Sequence, residues 1–353
     1  MNEKKMKKKR TLTYSTKKMI FTYSMFRAFQ TCRMKFNYRY SRELVPIEEP
    51  AVLVFGSAVH RGLEAWLKGG DKAQVLSVVA SYEGLPVDDR CKAVELVNAY
   101  MDHWGQEAFE IVDVEHSFIQ PLINPKTEYP STSWQLSGRV DGLVRLDGEL
   151  YILEHKTTSS INDEFVERIF IDAQIAIYAI AIGRELGERV VGAIYNMIEK
   201  PGIRMRMGES EEEFAARRAA LIAKSKTGTS TAKRQIAETE EEFCARLREA
   251  ITAQNFRREV VRFDDTVLND QRREIWDAAA DMRNPRIYKN TGSCTKYGRP
   301  CEYLSLCRCG GNVDACPGIY RSKKRHVELD DTAHNPLAVF GDGDDVQMQD
   351  TDF

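Results

Sequence analysis

The sequence has no long apolar run: none of its segments approaches the ~18–20 apolar residues that a membrane-spanning helix requires. The lysine-rich residues 1–10 are not followed by the apolar core of a secretory signal. We therefore expect a cytoplasmic protein whose cysteines do not form structural disulfides. A nucleotide-binding P-loop is also missing, because no Gly-Lys-Ser/Thr follows a predicted strand, and this absence argues against a helicase.

What is present suits a globular protein with two charged ends. The chain has 353 residues, of which 42% are hydrophobic and 29% charged, and this is enough to build one elaborated domain or two. The net charge of −2 conceals a basic segment at residues 1–18 and an acidic segment at residues 326–353. We expect both to be disordered, each either a solvated tail or a contact for a partner.

The most informative segment is a predicted β-hairpin. Asp147-Gly148 is a dipeptide preferred in two-residue turns, and the apolar run Leu150–Leu153 that follows it indicates a buried strand. If these two residues form the loop, the pairing register runs back along both strands and sets Asp141 opposite Glu154.

This register brings acidic and basic side chains together. Side chains alternate along a strand, so Glu154 and Lys156 share a face, and opposed residues such as Asp141 and Glu154 have Cβ atoms about 4.5–5.5 Å apart. Two carboxylates at that separation repel unless a cation lies between them, and a hard divalent cation fits. Cross-strand ion pairs on a solvated face are the ordinary alternative. Arg139, set opposite Lys156, offers either a phosphate contact or such an ion pair.

Further elements surround the hairpin. Ser24 is a candidate N-cap for a first helix, and Gly56-Ser57 opens a second. Residues 161–182 form a third long helical candidate, and residues 190–198 are typical of a strand.

Residues 205–257 have the pattern of a helical insertion in which one short motif occurs twice. Ser210 with Glu213, and Thr239 with Glu242, are two similar capping boxes. Each is expected to begin a helix.

Asp141 followed on the next strand by Glu154-x-Lys156 resembles the signature of the PD-(D/E)XK nuclease superfamily. Three flanking segments, in family order, resemble its RecB-like branch. They are Ser24-Met25-Phe26 with Cys32, Lys35 and Phe36 (Ser-x-Phe…Cys-x-x-Lys-Phe), Gly56-Ser57-Ala58-Val59-His60 (Gly-x-x-x-His) and Gln174-Ile175-Ala176-Ile177-Tyr178 (Gln-x-x-x-Tyr).

The resemblance implies an α/β fold, with a restriction-endonuclease-like core in which helices flank a central mixed sheet. A helical insertion and a C-terminal cysteine module are added to this core. The expected organisation is a basic disordered arm at 1–18, the nuclease core at 19–204, the insertion at 205–257, a C-terminal helix with the cysteine module at 258–325 and an acidic disordered tail at 326–353.

Ligand chemistry and the resemblance together propose a metal site. Asp141 and Glu154 provide hard oxygen ligands for Mg²⁺ or Mn²⁺, and the main-chain carbonyl of His155 can supply another. By resemblance, His60 adds a nitrogen ligand, which favours Mn²⁺ without excluding Mg²⁺. Such a metal activates a water and neutralises a scissile phosphate.

The resemblance also assigns roles around the metal. Lys156 is expected to polarise the attacking water and to stabilise charge on the phosphorane. Gln174 and Tyr178 are expected to orient Lys156 and the phosphate.

Late cysteines indicate a second centre. By resemblance, an early cysteine joins three late ones around a four-cysteine [4Fe–4S] cluster, and zinc is the runner-up because four thiolates suit it equally well. The late spacing of x6 and x5 departs from the commoner family pattern, and Cys309 and Cys316 also stand nearby. The expected ligands are Cys32, Cys294, Cys301 and Cys307.

The implied function is a metal-dependent DNA nuclease, an exonuclease on single-stranded ends in recombination, repair or phage DNA processing. A helicase or recombination partner would supply any unwinding. A catalytically idle nucleic-acid-binding or scaffold protein on the same fold is the alternative, and it has no need of a repulsive carboxylate pair. An enzyme of another class with a thiol-ligated metal would require a second constellation of chemical groups, and the sequence has none.

Overall fold

The structure is a computed structural model that describes residues 18–48, 50–105, 107–296 and 298–323. The predicted acidic tail, and the predicted basic arm apart from Lys18, lie outside these residues. Among the described helices, none is both long and apolar enough to cross a membrane.

The described residues form ten strands and eleven α-helices. The strands are β1 (Met19–Phe21), β2 (Leu44–Pro46), β3 (Glu110–Ile123), β4 (Pro130–Leu146), β5 (Glu149–Thr158), β6 (Val190–Glu199), β7 (Phe256–Arg262), β8 (Thr295–Lys296), β9 (Arg299–Pro300) and β10 (Tyr320–Ser322). The helices are α1 (Tyr23–Thr31), α2 (Arg33–Phe36), α3 (Ala51–Leu67), α4 (Lys72–Ala80), α5 (Val87–Trp104), α6 (Asp163–Ile169), α7 (Ala173–Leu186), α8 (Glu211–Lys224), α9 (Glu240–Ala250), α10 (Asp265–Met282) and α11 (Leu304–Arg308).

Six strands form a central mixed sheet in the order β1-β4-β5-β6-β7, with β3 on the other edge of β4. The β1–β4 and β5–β6 pairs are parallel, and the other pairs are antiparallel. Helices α6 and α7 connect β5 to β6, because parallel neighbours need a long crossover. Two further pairs, β2–β10 and β8–β9, are small separate sheets. The mixed α/β fold predicted from the sequence is therefore confirmed.

One edge of β4 is shared by two strands that do not meet. Strand β1 pairs with residues 134–136 and β5 with residues 142–146, on the edge opposite β3. Between them, residues 137–141 have no strand partner on that edge among the described residues. A backbone left open in this way needs other groups to approach it, so the sheet itself creates a gap that side chains or a ligand can enter.

Helices cover both faces of the sheet, as the alternation along β5 demonstrates. Leu150 and Ile152 pack with α1, α7 and α10, whereas Tyr151 and Leu153 pack on the opposite face against Leu67 of α3. Helices α4, α5 and α9 extend this second layer. Full burial of a leucine or isoleucine side chain contributes ~1.5–3 kcal/mol, so slipping the register by one residue would exchange the faces and is strongly disfavoured.

Two predicted helix starts are wrong for identifiable reasons. Thr22, not Ser24, caps the first helix, because the Thr22 side chain accepts a backbone N–H of the first turn at 3.2 Å. The second helix begins at Ala51 directly after Pro50, several residues before Gly56. A proline fits a helix start because its missing N–H would have no partner there.

The predicted helix at 161–182 is two helices, α6 and α7. The break falls at Asp172, whose carboxylate accepts the N–H of Gln174 at 2.9 Å and caps α7. A short acidic side chain favours this cap over a continued helix. The predicted strand at 190–198 is confirmed as β6.

Both predicted capping boxes of the insertion are confirmed, at the starts of α8 and α9. Helix α9 packs on α5, with Phe243 and Leu247 buried and Arg248 bonded to Glu95. No side chain of α8 is fully buried.

Gly192 stands where β6 meets β7 and leaves no room for a side chain, because a Cβ there would overlap the carbonyl oxygen of Val261. We predict that Gly192→Ala lowers the free energy of unfolding by about 1–3 kcal/mol, since the two strands must move apart. Gly202→Ala is the control: a Cβ there meets nothing within 4 Å, and the change should stay within about 0.5 kcal/mol. Urea denaturation measures both, and equal values for the two variants would contradict the prediction.

Candidate active site

The Asp147-Gly148 turn fixes the register of the β4–β5 hairpin. Both residues have positive φ, 53° and 81°, as the central residues of a type I′ turn require. The ladder begins directly after the turn and keeps the predicted register as far as Gly142 opposite Leu153. It ends there, so the predicted pairing of Asp141 with Glu154 is not part of it.

Beyond this pair the two strands part. Residues 154–158 pair with β6, and residues 137–141 lie along the gap in the edge of β4. Asp141 lies where the strands separate. Its Oδ2 accepts the backbone N–H of His155 at 2.7 Å, and its Oδ1 lies 3.2 Å from Nδ1 of His60 on α3.

Glu154 and Lys156 share the face of β5 that lies beneath α7. Nζ of Lys156 donates to Glu154 at 2.7 Å and to Oε1 of Gln174 at 3.0 Å. The carboxylate of Asp172 lies 3.8 Å from the same Nζ. The sequence pointed to Lys156 and Gln174 but missed Asp172, for which a helix-cap pattern would have been the one available signal.

Burial and neighbouring charges shift the two central carboxyls in opposite directions. Burial raises the pKa of Glu154 to about 7, with Lys156 opposing the rise and Asp141 adding to it. Burial also acts to raise the pKa of Asp141, but His60 and the backbone N–H of His155 outweigh it and hold that pKa well below its usual range. One carboxyl therefore titrates near neutrality while the other stays ionised.

Glu115 on β3 joins this acidic group and was not predicted. It lies between Val114 and His116, which pair with Gly142 and Val140 on either side of Asp141. Its φ is 58°, a value that residues other than glycine rarely adopt. Burial raises the pKa of Glu115 to about 7, with Asp141 adding to the rise and Arg139 opposing it. No motif marks Glu115, because its place depends on pairing with a strand that precedes the hairpin.

The neighbouring carboxylates raise the pKa of His60. Burial acts to lower the pKa of His60, but Asp141 outweighs it, and Glu154 and Glu115 add to the rise, so that the pKa lies at about 9. The ring is therefore protonated at neutral pH when no other cation neutralises the carboxylates.

Tyr178 lies one helical turn after Gln174, and its ring packs against Gly138 in the gap of β4. A Cβ on Gly138 would come within 2.7 Å of the Tyr178 ring, so glycine is what allows this close approach. Burial raises the pKa of Tyr178 above its usual range, with Glu154 adding to the rise. Its hydroxyl therefore stays protonated and can donate a hydrogen bond.

The His155 side chain lies on the other face of β5, beside Tyr100 and 3.4 Å from Nδ2 of Asn196. Burial lowers the pKa of His155 to about 4, so its ring is neutral. The main-chain carbonyl remains the group of His155 that was predicted as a ligand.

Arg139 does not lie opposite Lys156, because the β4–β5 ladder ends before it. Its Nε instead forms an ion pair with Oε2 of Glu115 at 2.8 Å. The simpler of the two predicted roles, an ion pair, is thus present with a different partner.

His60, Glu115, Arg139, Asp141 and Tyr178 border one cleft of about 840 Å³ at the gap in β4. Glu154, Lys156 and Gln174 are not among its lining residues. Its lining combines the acidic and basic residues with exposed apolar side chains from the first turn of α3. Among the lining residues are Val52, Leu53, His60, Tyr82, Glu115, Arg139, Asp141 and Tyr178.

The chemistry of this donor set fits a hard divalent cation. No three His, Cys, Asp or Glu side chains in the described part of the chain are arranged as a metal-binding group. Three carboxyls and one imidazole nevertheless converge on the gap, and the raised pKa values of Glu154 and Glu115 reflect burial together with the neighbouring Asp141 charge. Carboxylate oxygens are the ligands that Mg²⁺ and Mn²⁺ prefer, and three of the four converging groups are carboxyls.

The late cysteines pack against the N-terminal helices. The backbone N–H of Asn290 lies 3.4 Å from Sγ of Cys32, and Sγ of Cys294 lies 3.9 Å from the carbonyl oxygen of the same asparagine. Cys301 and Cys307 border a small core that contains Tyr38, Tyr303 and Tyr320. Cys309 and Cys316 belong to the same core and form a close pair, with sulfur atoms 3.4 Å apart. A metal centre shared by Cys32, Cys294, Cys301 and Cys307 stays a prediction.

Comparison with protein families gives one match. The model of the PD-(D/E)XK nuclease superfamily matches residues 20–308, a range that includes every residue of the cleft named above. A comparison with curated proteins found no match. The superfamily indicated by the motifs is thus confirmed, while the RecB-like branch and the cysteine-bound cluster stay predictions.

We predict that the metal-free protein becomes less stable as the pH rises from about 6 to about 9. The pKa of His60 is raised from 6.5 to about 9, so its stabilising contribution is complete below pH 6.5 and is lost as the pH passes through about 9. The pKa of Glu154 is raised from 4.5 to about 7, so folding favours its protonated form, and that contribution is lost as the pH rises through about 7.

Thermal melting in EDTA across this pH range measures the effect. His60→Asn should flatten the decline above about pH 7, because the group that titrates there has been removed. A pH profile parallel to that of the wild type would contradict the prediction. Mn²⁺ should stabilise the wild type more at the higher pH, since ligands must be deprotonated to bind a metal.

Proposed function

This chain belongs to the PD-(D/E)XK nuclease superfamily, and on that premise we propose that it is a Mg²⁺- or Mn²⁺-dependent deoxyribonuclease that hydrolyses phosphodiester bonds. The single observation that carries the proposal is the convergence of Asp141, Glu154 and Lys156 at the gap in β4. A protein that only binds nucleic acid gains nothing from burying two carboxyls close enough to perturb each other.

Asp141, Glu154, His60 and the main-chain carbonyl of His155 are the groups that would hold the metal. A bound Mg²⁺ or Mn²⁺ supplies Lewis acidity, which activates water and neutralises a phosphate. His60 must lose its proton to act as a ligand, and the carboxylates that raise its pKa are the groups that a cation would neutralise.

Lys156 acts as a cation in this mechanism. Burial acts to lower the pKa of Lys156, but Glu154 and Asp172 outweigh it and raise that pKa above its usual range. A lysine that stays protonated cannot serve as a general base. It stabilises the negative charge that develops on the phosphorane, and its bond to Glu154 fixes Nζ beside the metal ligands.

Gln174 and Tyr178 orient these groups from α7. Gln174 accepts a hydrogen bond from Lys156 Nζ at 3.0 Å and so limits where the ammonium can lie. The protonated Tyr178 hydroxyl can donate to a phosphate oxygen that enters the cleft.

Single-stranded DNA ends are the proposed substrate, with exonucleolytic cleavage as in the RecB-like branch. The exposed Val52 and Leu53, and Tyr82, border the cleft and offer surfaces against which unstacked bases can pack. The role lies in recombination, repair or phage DNA processing. A helicase or recombination partner would supply unwinding.

The C-terminal module is proposed to hold a [4Fe–4S] cluster through Cys32, Cys294, Cys301 and Cys307, with zinc as the runner-up. Contacts between Asn290 and both Cys32 and Cys294 support a centre that joins the two ends of the chain. Such a centre acts as a structural staple.

We predict that Asp141→Ala, Glu154→Ala and Lys156→Ala each lower cleavage of end-labelled single-stranded DNA in Mn²⁺ or Mg²⁺ by about 10²-fold or more, since each removes a charge aimed at the reacting phosphate. Glu149→Gln is the matched control on the same hairpin, because Glu149 bonds Arg262 outside the cleft, and it should cleave like the wild type. Loss of all cleavage in EDTA is expected. A wild type that binds DNA but never cleaves it would favour the alternative, an idle binding protein.

We further predict that anaerobically purified protein is brown and contains iron. Replacing Cys32, Cys294, Cys301 or Cys307 by serine should bleach the colour and lower the melting temperature, because metal binding contributes folding free energy. Cys91→Ser is the control, since Cys91 lies buried in α5, apart from the module, and its colour should persist. A colourless protein with one zinc per chain would show that the module binds zinc instead of a cluster. A protein without any bound metal would contradict the proposal.

A further inference from the structure

Arg139 occupies the open edge of β4, two residues before Asp141. It lies in the stretch 137–141, for which the described part of the chain provides no strand partner on the side of the cleft. Its side chain lines the cleft with 38% of its surface exposed. Arg61, also in the cleft lining, is bonded to Glu64 on its own helix at 2.8 Å. Arg139 is thus the more open of the two guanidinium groups.

Among the described residues, Glu115 is the acidic side chain that pairs with Arg139. The closest atoms of this ion pair are Glu115 Oε2 and Arg139 Nε, 2.8 Å apart, and the Glu115 side chain is 15% exposed. A guanidinium is planar, so fixing Nε also fixes the plane in which the two Nη donors lie. Two parallel donors match two oxygens of a phosphate.

The backbone of β3 is distorted to put Glu115 there. In a regular strand Val114 and Phe118 would face the same side, because their positions differ by four. Val114 instead packs with the cluster beneath α3 and Phe118 with the cluster beneath α7. The reversal coincides with the positive φ of Glu115, which costs of order 1 kcal/mol or more in a residue with a side chain. The fold tolerates this cost and brings a third carboxylate to Asp141.

We infer that Arg139, held by Glu115, binds the non-bridging oxygens of a phosphodiester in the nucleic-acid strand beside the metal-binding residues. Glu115 is a positioning residue that acts through Arg139. The inference rests on the proposed function only for the identity of the ligand, a nucleic-acid strand. It does not require that the strand is cleaved. It assigns the cleft a phosphate site separate from Lys156, whose ammonium is already bonded to Glu154 and Gln174.

Binding of a fluorescein-labelled single-stranded oligodeoxynucleotide, measured in EDTA over a range of salt concentrations, tests the site without cleavage. Arg139→Ala should weaken binding at low salt by about 10- to 100-fold, as expected for loss of a charged hydrogen-bonded pair. The slope of log K against log salt should fall by about 0.7, the value for one phosphate contact on a single strand. Arg139→Lys should keep the slope and lose part of the affinity, because lysine keeps the charge without the fork.

Arg145→Ala is the matched control. Arg145 stands on the same strand but pairs with Glu188, outside the cleft lining, so the affinity and the slope should remain those of the wild type. Wild-type affinity and slope in Arg139→Ala, with its melting temperature preserved, would overturn the inference and leave the Arg139–Glu115 pair a structural ion pair. If Arg139→Ala fails to fold, Arg139→Lys decides: undiminished affinity would then overturn the inference.

A double-variant cycle tests the positioning role of Glu115. Glu115→Gln should weaken binding less than Arg139→Ala does, and the double variant should bind no more weakly than Arg139→Ala alone, because Glu115 acts only through the arginine. Additive losses would overturn that role. A wild type that cleaves no DNA would defeat the proposed nuclease function, whereas the salt slopes would still decide for or against the phosphate site.

Discussion

The structure depends on burying several like charges in one gap of a β-sheet. Strand β4 is flanked on one edge by β1 and β5, which do not meet, and carboxylates lie at or beside the space between them. An unpaired carboxylate in such a place would cost several kcal/mol, so each needs a cation. Each has one: the pairs are Glu115–Arg139, Asp141–His60 and Glu154–Lys156.

This pairing makes the charge of the site sensitive to pH and to added cations. The cations come from β4, α3 and β5, so the sheet and one of the two helical layers both supply charge that neutralises the carboxylates. A divalent metal would take over the neutralisation of Asp141 and Glu154, releasing the proton of His60 and leaving Lys156 charged beside the phosphate. In the proposed nuclease, metal binding, pH and stability would therefore be linked through the same few groups.

Local chemistry made the hairpin predictable. The Asp147-Gly148 turn permits one register, and counting back from it leads to Asp141 and Glu154 without any knowledge of the rest of the chain. The same counting was wrong in assuming that the ladder continues past Gly142, so neither Asp141 with Glu154 nor Arg139 with Lys156 forms a ladder pair. The prediction of a helix start was also wrong where a neighbouring residue is the N-cap, as Thr22 is for α1.

The sequence alone determined the hairpin register, because short-range turn chemistry carries that information. It indicated the superfamily through the resemblance of its motifs, which the family comparison confirms. Only the tertiary structure decided that Glu115 lines the cleft and that Asp172 lies beside Lys156, since both belong to elements outside the hairpin. It also decided the pKa shifts, which depend on burial and on charges brought together from separate strands and helices. Spacing along a chain specifies neighbours within an element, whereas the gap in β4 exists only because two other strands stop short of each other.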